Sequence, residues 1–149
     1  MTRESFIILN WGWSGMVKIT VKVNFDEKAA IAHITAASDK ALTALGLEAL
    51  KDVTQYVPKD QNILRKSGTT HSDIKAEDGK FTLRWSTPYA QYLWHGDVMY
   101  GDPTNRTYGP AKITFTEALA REEWAIYAQK IHGEQWEKIY QKAFERELS

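Results

Sequence analysis

The stretch SDIKAEDGKFTLRWST, residues 72–87, decides the fold because two strand-like segments flank a tight-turn signal within it. The pair Asp78-Gly79 supplies the positive φ angles that a type I′ hairpin turn requires. After the turn, three apolar side chains alternate with polar ones, at the period of a strand with one buried face: Phe81, Leu83 and Trp85. The pattern predicts a hairpin of strands 72–77 and 80–87.

A second strand pattern and a long helix pattern precede this hairpin. Residues 17–23 alternate apolar and polar side chains, and we expect four of them to face the core: Val17, Ile19, Val21 and Val23. Asp26 is a good N-cap, and residues 27–56 contain a stripe of alanine and leucine without proline. We predict a helix over 27–56 that bends at Gly46 or protrudes from the domain, and that ends before Pro58.

Three further segments follow this helix, on either side of the hairpin. Residues 59–68 are predicted to form a polar loop in which Ile63-Leu64 is the anchor. Residues 89–96 have the composition of two helical turns that end at Gly96. Residues 97–111 are rich in glycine, proline, aspartate and asparagine, and a connection of that length without structure of its own is usually functional.

The C-terminal third has a helical pattern. Residues 113–115 could add one short strand, and Thr114 with Glu117 could form a capping box ahead of the helix. A break is predicted at His132-Gly133, between two apolar faces: Trp124, Tyr127, Ala128 and Ile131, then Trp136, Ile139, Tyr140, Ala143, Phe144 and Leu148.

These elements predict a single α+β domain over residues 16–149, with a small, mainly antiparallel sheet covered on one face by the long N-terminal helix, and with C-terminal helices. Residues 1–15 differ in composition from the rest of the chain. We interpret them as an N-terminal arm that lies on a neighbouring subunit through Trp11 and Trp13, or as an extension ahead of a start at Met16.

Composition excludes several kinds of chemistry. The chain has no cysteine, which excludes disulfides, thiolate catalysis and thiolate zinc sites. Lysine plus arginine and aspartate plus glutamate both number 19, without segregation into blocks. The long-range field that draws a protein to nucleic acid or to membranes is therefore missing. No apolar run approaches the ~20 residues that span a bilayer, so we expect no membrane association.

Motifs for catalysis and for metal binding are also missing from the sequence. His95 and Asp97 are the only close histidine–carboxylate pair, and they lie at the end of the predicted short helix. We expect His95 to cap that helix, where a positive or polar group is favourable. The sequence therefore predicts a protein that is not an enzyme and has no catalytic residues, cofactor or metal.

The tryptophans and tyrosines outside the predicted core favour a protein interface, because large aromatic side chains are enriched there. Together with one cation they are our candidate partner-binding residues: Tyr100, Arg106, Tyr108, Trp11 and Trp13. Trp85, Trp124 and Trp136 are assigned to the core. The alternative is a stacking platform for single-stranded nucleic acid, but Trp85 faces inward and no positive groove is evident.

Four short motifs succeed one another along the chain: Val57-Pro58, Leu64-Arg65-Lys66-Ser67, Tyr89 to Gly96, and the helix from Trp124 to Trp136. From Met16 to the end, their serial order resembles the minor capsid and tail-completion (head–tail joining, neck) proteins of tailed phages and prophages. The segment Lys59-Asp60-Gln61 departs from the Asp-Thr-Gly-type turn of many relatives.

The resemblance implies a non-enzymatic structural protein that is made in the host cytoplasm and resides in the virion neck. Its implied partners are copies of itself, in a ring expected to be a hexamer, and the neighbouring head-connector and tail-tube or terminator proteins. We expect the 97–109 loop to make the contacts through Tyr100, Arg106 and Tyr108. The alternative function is a nucleic-acid-binding module that contacts DNA in the virion channel.

Overall fold

The computed structural model describes residues 2–10, 16–24, 31–59, 62–102 and 104–149. Five strands and four helices succeed one another in this part of the chain: β1 (Thr2–Asn10), β2 (Met16–Asn24), α1 (Ile31–Thr54), α2 (Ile63–His71), β3 (Lys80–Arg84), α3 (Ala90–His95), β4 (Asp97–Tyr100), β5 (Thr107–Lys112) and α4 (Trp124–Leu148). Helices and strands are mixed along the chain without regular βαβ repetition, so the predicted α+β class is confirmed.

The larger sheet has three strands in the order β2-β1-β3. β1 is antiparallel to β2, with Ile7 opposite Ile19, and parallel to β3, with Leu9 opposite Leu83. The segment 1–15, predicted to be an arm or an extension, thus supplies the central strand, and the sheet is mixed. Trp11 and Trp13 lie outside the described residues, as do the side chains predicted to face the core from β2: Val17, Ile19, Val21 and Val23.

The predicted hairpin forms its turn but only one regular strand. Asp78 has a φ of 52° and Gly79 a φ of 73°, as the turn signal requires. Segment 72–77 lies beside β3 but does not form a regular ladder with it. The two are joined by an isolated bridge at Glu77 and by hydrogen bonds to side chains of the segment. Asp73 Oδ2 accepts the Thr82 N–H at 2.7 Å, and Ser72 Oγ accepts the Arg84 N–H at 2.9 Å. The predicted strand 72–77 is therefore wrong as a regular element.

The inward face of the strand predicted from residue 80 is confirmed, because Phe81, Leu83 and Trp85 are all at most 1% exposed. α1 covers them and runs without interruption through Gly46, which is buried against the Phe81 ring. Gly46 therefore does not interrupt the helix. A Cβ at this position would fall inside van der Waals distance of the ring, so the glycine serves a close approach between helix and strand.

The predicted polar loop 59–68 is largely wrong, because α2 begins at Ile63. Leu64 is fully buried, whereas Ile63 is half exposed, so Leu64 alone is the anchor. The small residues after it are not strong helix formers, but they allow this helix to pack closely against its neighbours. Ser67 Oγ donates to the Leu64 carbonyl at 2.6 Å, and Gly68 lets the Trp85 indole lie directly against the helix backbone.

α4 packs antiparallel to α1 and is continuous through the predicted break at His132-Gly133. Its buried stripe is Trp124, Ala125, Ala128, Trp136, Tyr140 and Ala143, whereas Ile131, predicted to lie on it, is 57% exposed. The imidazole of His132 takes a position between the helices and so extends the stripe. The predicted strand 113–115 and capping box are wrong, since β5 ends at Lys112 and α4 begins at Trp124.

Of the helices in the described ranges, none combines the length and the apolar character that crossing a bilayer demands.

Candidate partner-binding hairpin

Residues 97–112, predicted to be mostly a structureless loop, form a second, two-stranded sheet. β4 and β5 pair antiparallel, with Tyr100 opposite Thr107 and Met99 opposite Tyr108, and the register shifts between Asp97 and Met99. At the tip the Asn105 N–H donates to the Asp102 carbonyl at 2.9 Å. A strand of four residues with a bulge, facing a strand that contains proline, leaves almost no alternating pattern in the sequence.

Lys112 ties the base of this hairpin to the body of the protein. Its ammonium donates to the His95 carbonyl at 2.8 Å and to Asp97 Oδ1 at 3.0 Å, and it lies 3.7 Å from Glu122 Oε2. The hydrogen bond from the ammonium to the Asp97 carboxylate raises the pKa of Lys112 above its ordinary value. The cation at the C-terminus of α3 is therefore Lys112, not the predicted His95 imidazole, and Asp97 pairs with this lysine.

The predicted contact residues on the hairpin separate into two groups. Tyr108 is half buried, and its ring stacks on Tyr92 of α3 with centroids 3.3 Å apart and planes 7° from parallel. Tyr100 is 46% exposed and Arg106 is exposed. The Arg106 guanidinium contacts Met99 Sδ at 3.6 Å, and within the described ranges no carboxylate pairs with it. Tyr100 and Arg106 are thus available to a partner, whereas Tyr108 packs internally.

The edges of the two-stranded sheet are poorly suited to strand addition. β4 has only four residues and a register shift, and Pro110 in β5 lacks an N–H. Irregular or proline-containing edges oppose pairing with a further strand. A partner that binds here would therefore contact the side chains of the hairpin and not extend its backbone ladder.

A polar cluster between α1 and α4 is the arrangement closest to catalytic chemistry in the described chain. The Tyr56 hydroxyl is 2.9 Å from His132 Nε2, and Gln55 Nε2 is 3.4 Å from the same nitrogen. Trp136 Nε1 donates to Asp52 Oδ2 at 2.8 Å, and that oxygen lies 3.8 Å from His132 Nδ1. Sequence analysis missed this cluster, although Asp52 with Tyr56, and His132 with Trp136, have the i,i+4 spacing of one helix face.

The geometry of this cluster favours a structural role. Tyr56 is only 6% exposed, and burial is the largest cause of the rise in its pKa. Tyr127 and the Asp52 carboxylate raise that pKa further, and Arg121 opposes them. A phenol kept protonated is a weak nucleophile, and Asp52 is beyond hydrogen-bond distance of the imidazole. The cluster connects α4 to the C-terminal end of α1, with Tyr56 buried and with His132 and Asp52 partly exposed.

Two open surface grooves lie elsewhere, at the 72–82 segment and beside α1. Their volumes are about 720 and 580 Å³, and both mix lysine with carboxylate side chains. In the second groove Lys40 pairs with Glu147 at 3.1 Å, and Asp39 accepts the Gly79 N–H at 2.8 Å.

Across the described ranges, no group of three or more histidine, aspartate or glutamate side chains is arranged to hold a metal ion.

No protein-family model matches this chain, and no curated protein or solved structure matches it either.

Proposed function

We propose that this chain is a non-enzymatic structural protein of a tailed phage or prophage, and that it joins heads to tails by assembling with copies of itself and with neighbouring neck proteins. The proposal rests on the serial order of the four short motifs. Further support is that these motifs coincide with the ends of elements: Val57-Pro58 comes after α1, Leu64 to Ser67 lies in the first turns of α2, and Gly96 ends α3.

The observation that carries the contact assignment is the exposure of Tyr100 and Arg106 on the β4–β5 hairpin. Tyrosine and arginine are among the residues enriched at the energetic centres of protein interfaces. Tyrosine buries a large area for little lost rotamer freedom, and arginine offers a planar array of donors. An exposed pair of this kind on an ordered hairpin is suited to docking on another protein.

The test is the double variant Y100A/R106A, supplied from a plasmid to a phage that lacks the gene. We expect the variant to unfold at the same temperature as the wild type but to yield free heads and free tails under the electron microscope. The matched control is K130A/K138A, which removes two exposed side chains from α4 and should leave titres normal. Wild-type titres from Y100A/R106A would refute the contact assignment, and normal virions without the gene would refute the proposed function.

A further inference from the structure

We infer that the β4–β5 hairpin is preordered by a two-point clamp, formed by Lys112 at its base and by Tyr92 against its second strand. Tyr92 and Lys112 are then positioning residues for the contact made by Tyr100 and Arg106. The inference rests on the proposed function, because it concerns how that same contact is presented to a partner.

The hairpin needs outside support, because an isolated two-stranded hairpin is at best marginally stable in water. Its own ladder is weak, since β4 has four residues and a register shift. In the described chain the hairpin forms a sheet of its own and does not join the sheet of β1, β2 and β3. Its order must therefore come from contacts at its base and along its faces.

The first point of the clamp is Lys112. Its ammonium bridges oxygens from three places in the chain: the end of α3, the first residue of β4, and Glu122 just before α4. Beside it the Ile113 N–H donates to the Gly96 carbonyl at 2.7 Å, and the Glu123 N–H donates to the Trp94 carbonyl at 2.9 Å. The bonds of Lys112 and Ile113 hold the second end of the hairpin against the end of α3, and the Glu123 bond holds the start of α4 against the same helix.

The second point is the stack of Tyr92 on Tyr108. Tyr92 lies in a short helix whose neighbouring side chains Leu93 and Trp94 are buried in the core. Because α3 is held in the core in this way, the nearly parallel stacking of the Tyr92 and Tyr108 rings also holds β5 in place. Two separate attachment points, one at the base and one along the strand, restrict both hinge and twist motions of the hairpin.

Preordering matters for binding because a flexible element loses conformational entropy when a partner captures it. A clamped hairpin has already lost most of that freedom on folding. Loosening the clamp should therefore weaken partner binding, even though Tyr92 and Lys112 do not belong to the exposed contact pair.

The experiment is hydrogen–deuterium exchange on the full chain, comparing wild type with Y92A and K112M. We expect the amides of the hairpin to exchange about tenfold faster in Y92A and about threefold faster in K112M, because the Lys112 ion pairs are largely exposed, while amides of α1 and α4 stay unchanged. Y92F keeps the ring stack and should behave as wild type. K130M removes an exposed α4 lysine and controls for loss of charge alone. Unchanged hairpin exchange in both Y92A and K112M would overturn the clamp.

The head–tail joining assay then separates the two proposals. We expect Y92A and K112M to reduce titres and Y92F to retain them. If the hairpin loosens and these variants still join normally while Y100A/R106A does not, the positioning role is wrong and the proposed function stands. If Y100A/R106A itself joins normally, the contact assignment fails and the positioning role fails with it, whatever the exchange rates show.

Discussion

Two helix glycines let β3 and Trp85, the residue that follows it, pack directly against helix backbone. Gly46 of α1 lies under the Phe81 ring, and Gly68 of α2 lies under the Trp85 indole. Helix interiors disfavour glycine by roughly 0.5–1 kcal/mol relative to alanine, so its use twice on this face has a packing cause. The close approach allows two large aromatic side chains to be fully buried between one strand and two helices.

The first prediction compares two glycine substitutions. Gly46→Ala places a methyl group against the Phe81 ring and should lower the free energy of unfolding by about 1–3 kcal/mol, as overpacking does. Gly133→Ala is the control, because its nearest neighbour is Gln129 Cγ at 3.9 Å, an ordinary contact distance. It should raise the free energy of unfolding by about 0.5–1 kcal/mol. Urea unfolding measures both, and stabilisation by both substitutions would contradict the packing argument.

The α1–α4 pair is joined by polar contacts at intervals along its length. Ser38 Oγ is 2.9 Å from the Tyr140 hydroxyl, Trp136 donates to Asp52, and Tyr56 bonds to His132. The ion pair between Lys40 and Glu147 is largely exposed and should contribute little. Alanine-rich apolar stripes permit several alignments of two helices, so we interpret the buried polar bonds as fixing their register.

The second prediction concerns Tyr56→Phe and alkaline pH. At neutral pH the variant should lose about 0.5–1.5 kcal/mol of unfolding free energy with the bond to His132. Because folding raises the pKa of Tyr56, its hydroxyl contributes fully below the ordinary value of about 10 and loses that contribution as pH rises through the folded-state pKa. The wild-type advantage over the variant, measured by urea unfolding, should therefore shrink as the pH rises above about 10. A constant advantage over that pH range would show that folding does not raise the pKa of Tyr56.

At the scale of the whole molecule, the basic and acidic side chains balance in number. The formal net charge is zero, so repulsion between copies is weak and no overall field attracts DNA. Binding to copies and to neck proteins would then depend on local complementarity, such as that offered by Tyr100 and Arg106. This distinguishes the proposed adaptor from the nucleic-acid-binding alternative, which needs a local concentration of positive charge.

The third prediction is that the molecular mass measured by light scattering rises with protein concentration and changes little between low and high salt. Single-stranded and double-stranded DNA should bind weakly under both conditions. Tight DNA binding that is lost steeply with salt would instead support the alternative function. A chain that stays monomeric at every concentration, even with head and tail components added, would contradict assembly.

Local signals in the sequence determined several elements by themselves. The Asp78-Gly79 turn, the burial of Phe81, Leu83 and Trp85, and the end of α3 at Gly96 were all predicted. Each depends on conformational preferences or side-chain periodicity within a few residues, which operate without knowledge of distant partners. The contact role of Tyr100 and Arg106 stays a prediction, which was made from their residue types and from the composition of their segment; the structure shows that both side chains are exposed.

Tertiary structure alone decided the rest, because the deciding partners are far apart in sequence. The central position of β1 depends on pairing with β3, more than seventy positions away. His132, where a break in α4 was predicted, lies inside the continuous helix and contacts Tyr56, 76 positions earlier in the chain. We attribute the order of the hairpin to Lys112 and to the Tyr92–Tyr108 stack. Which aromatic side chains stay exposed is therefore set by packing across the whole chain, since a side chain's type does not fix its neighbours.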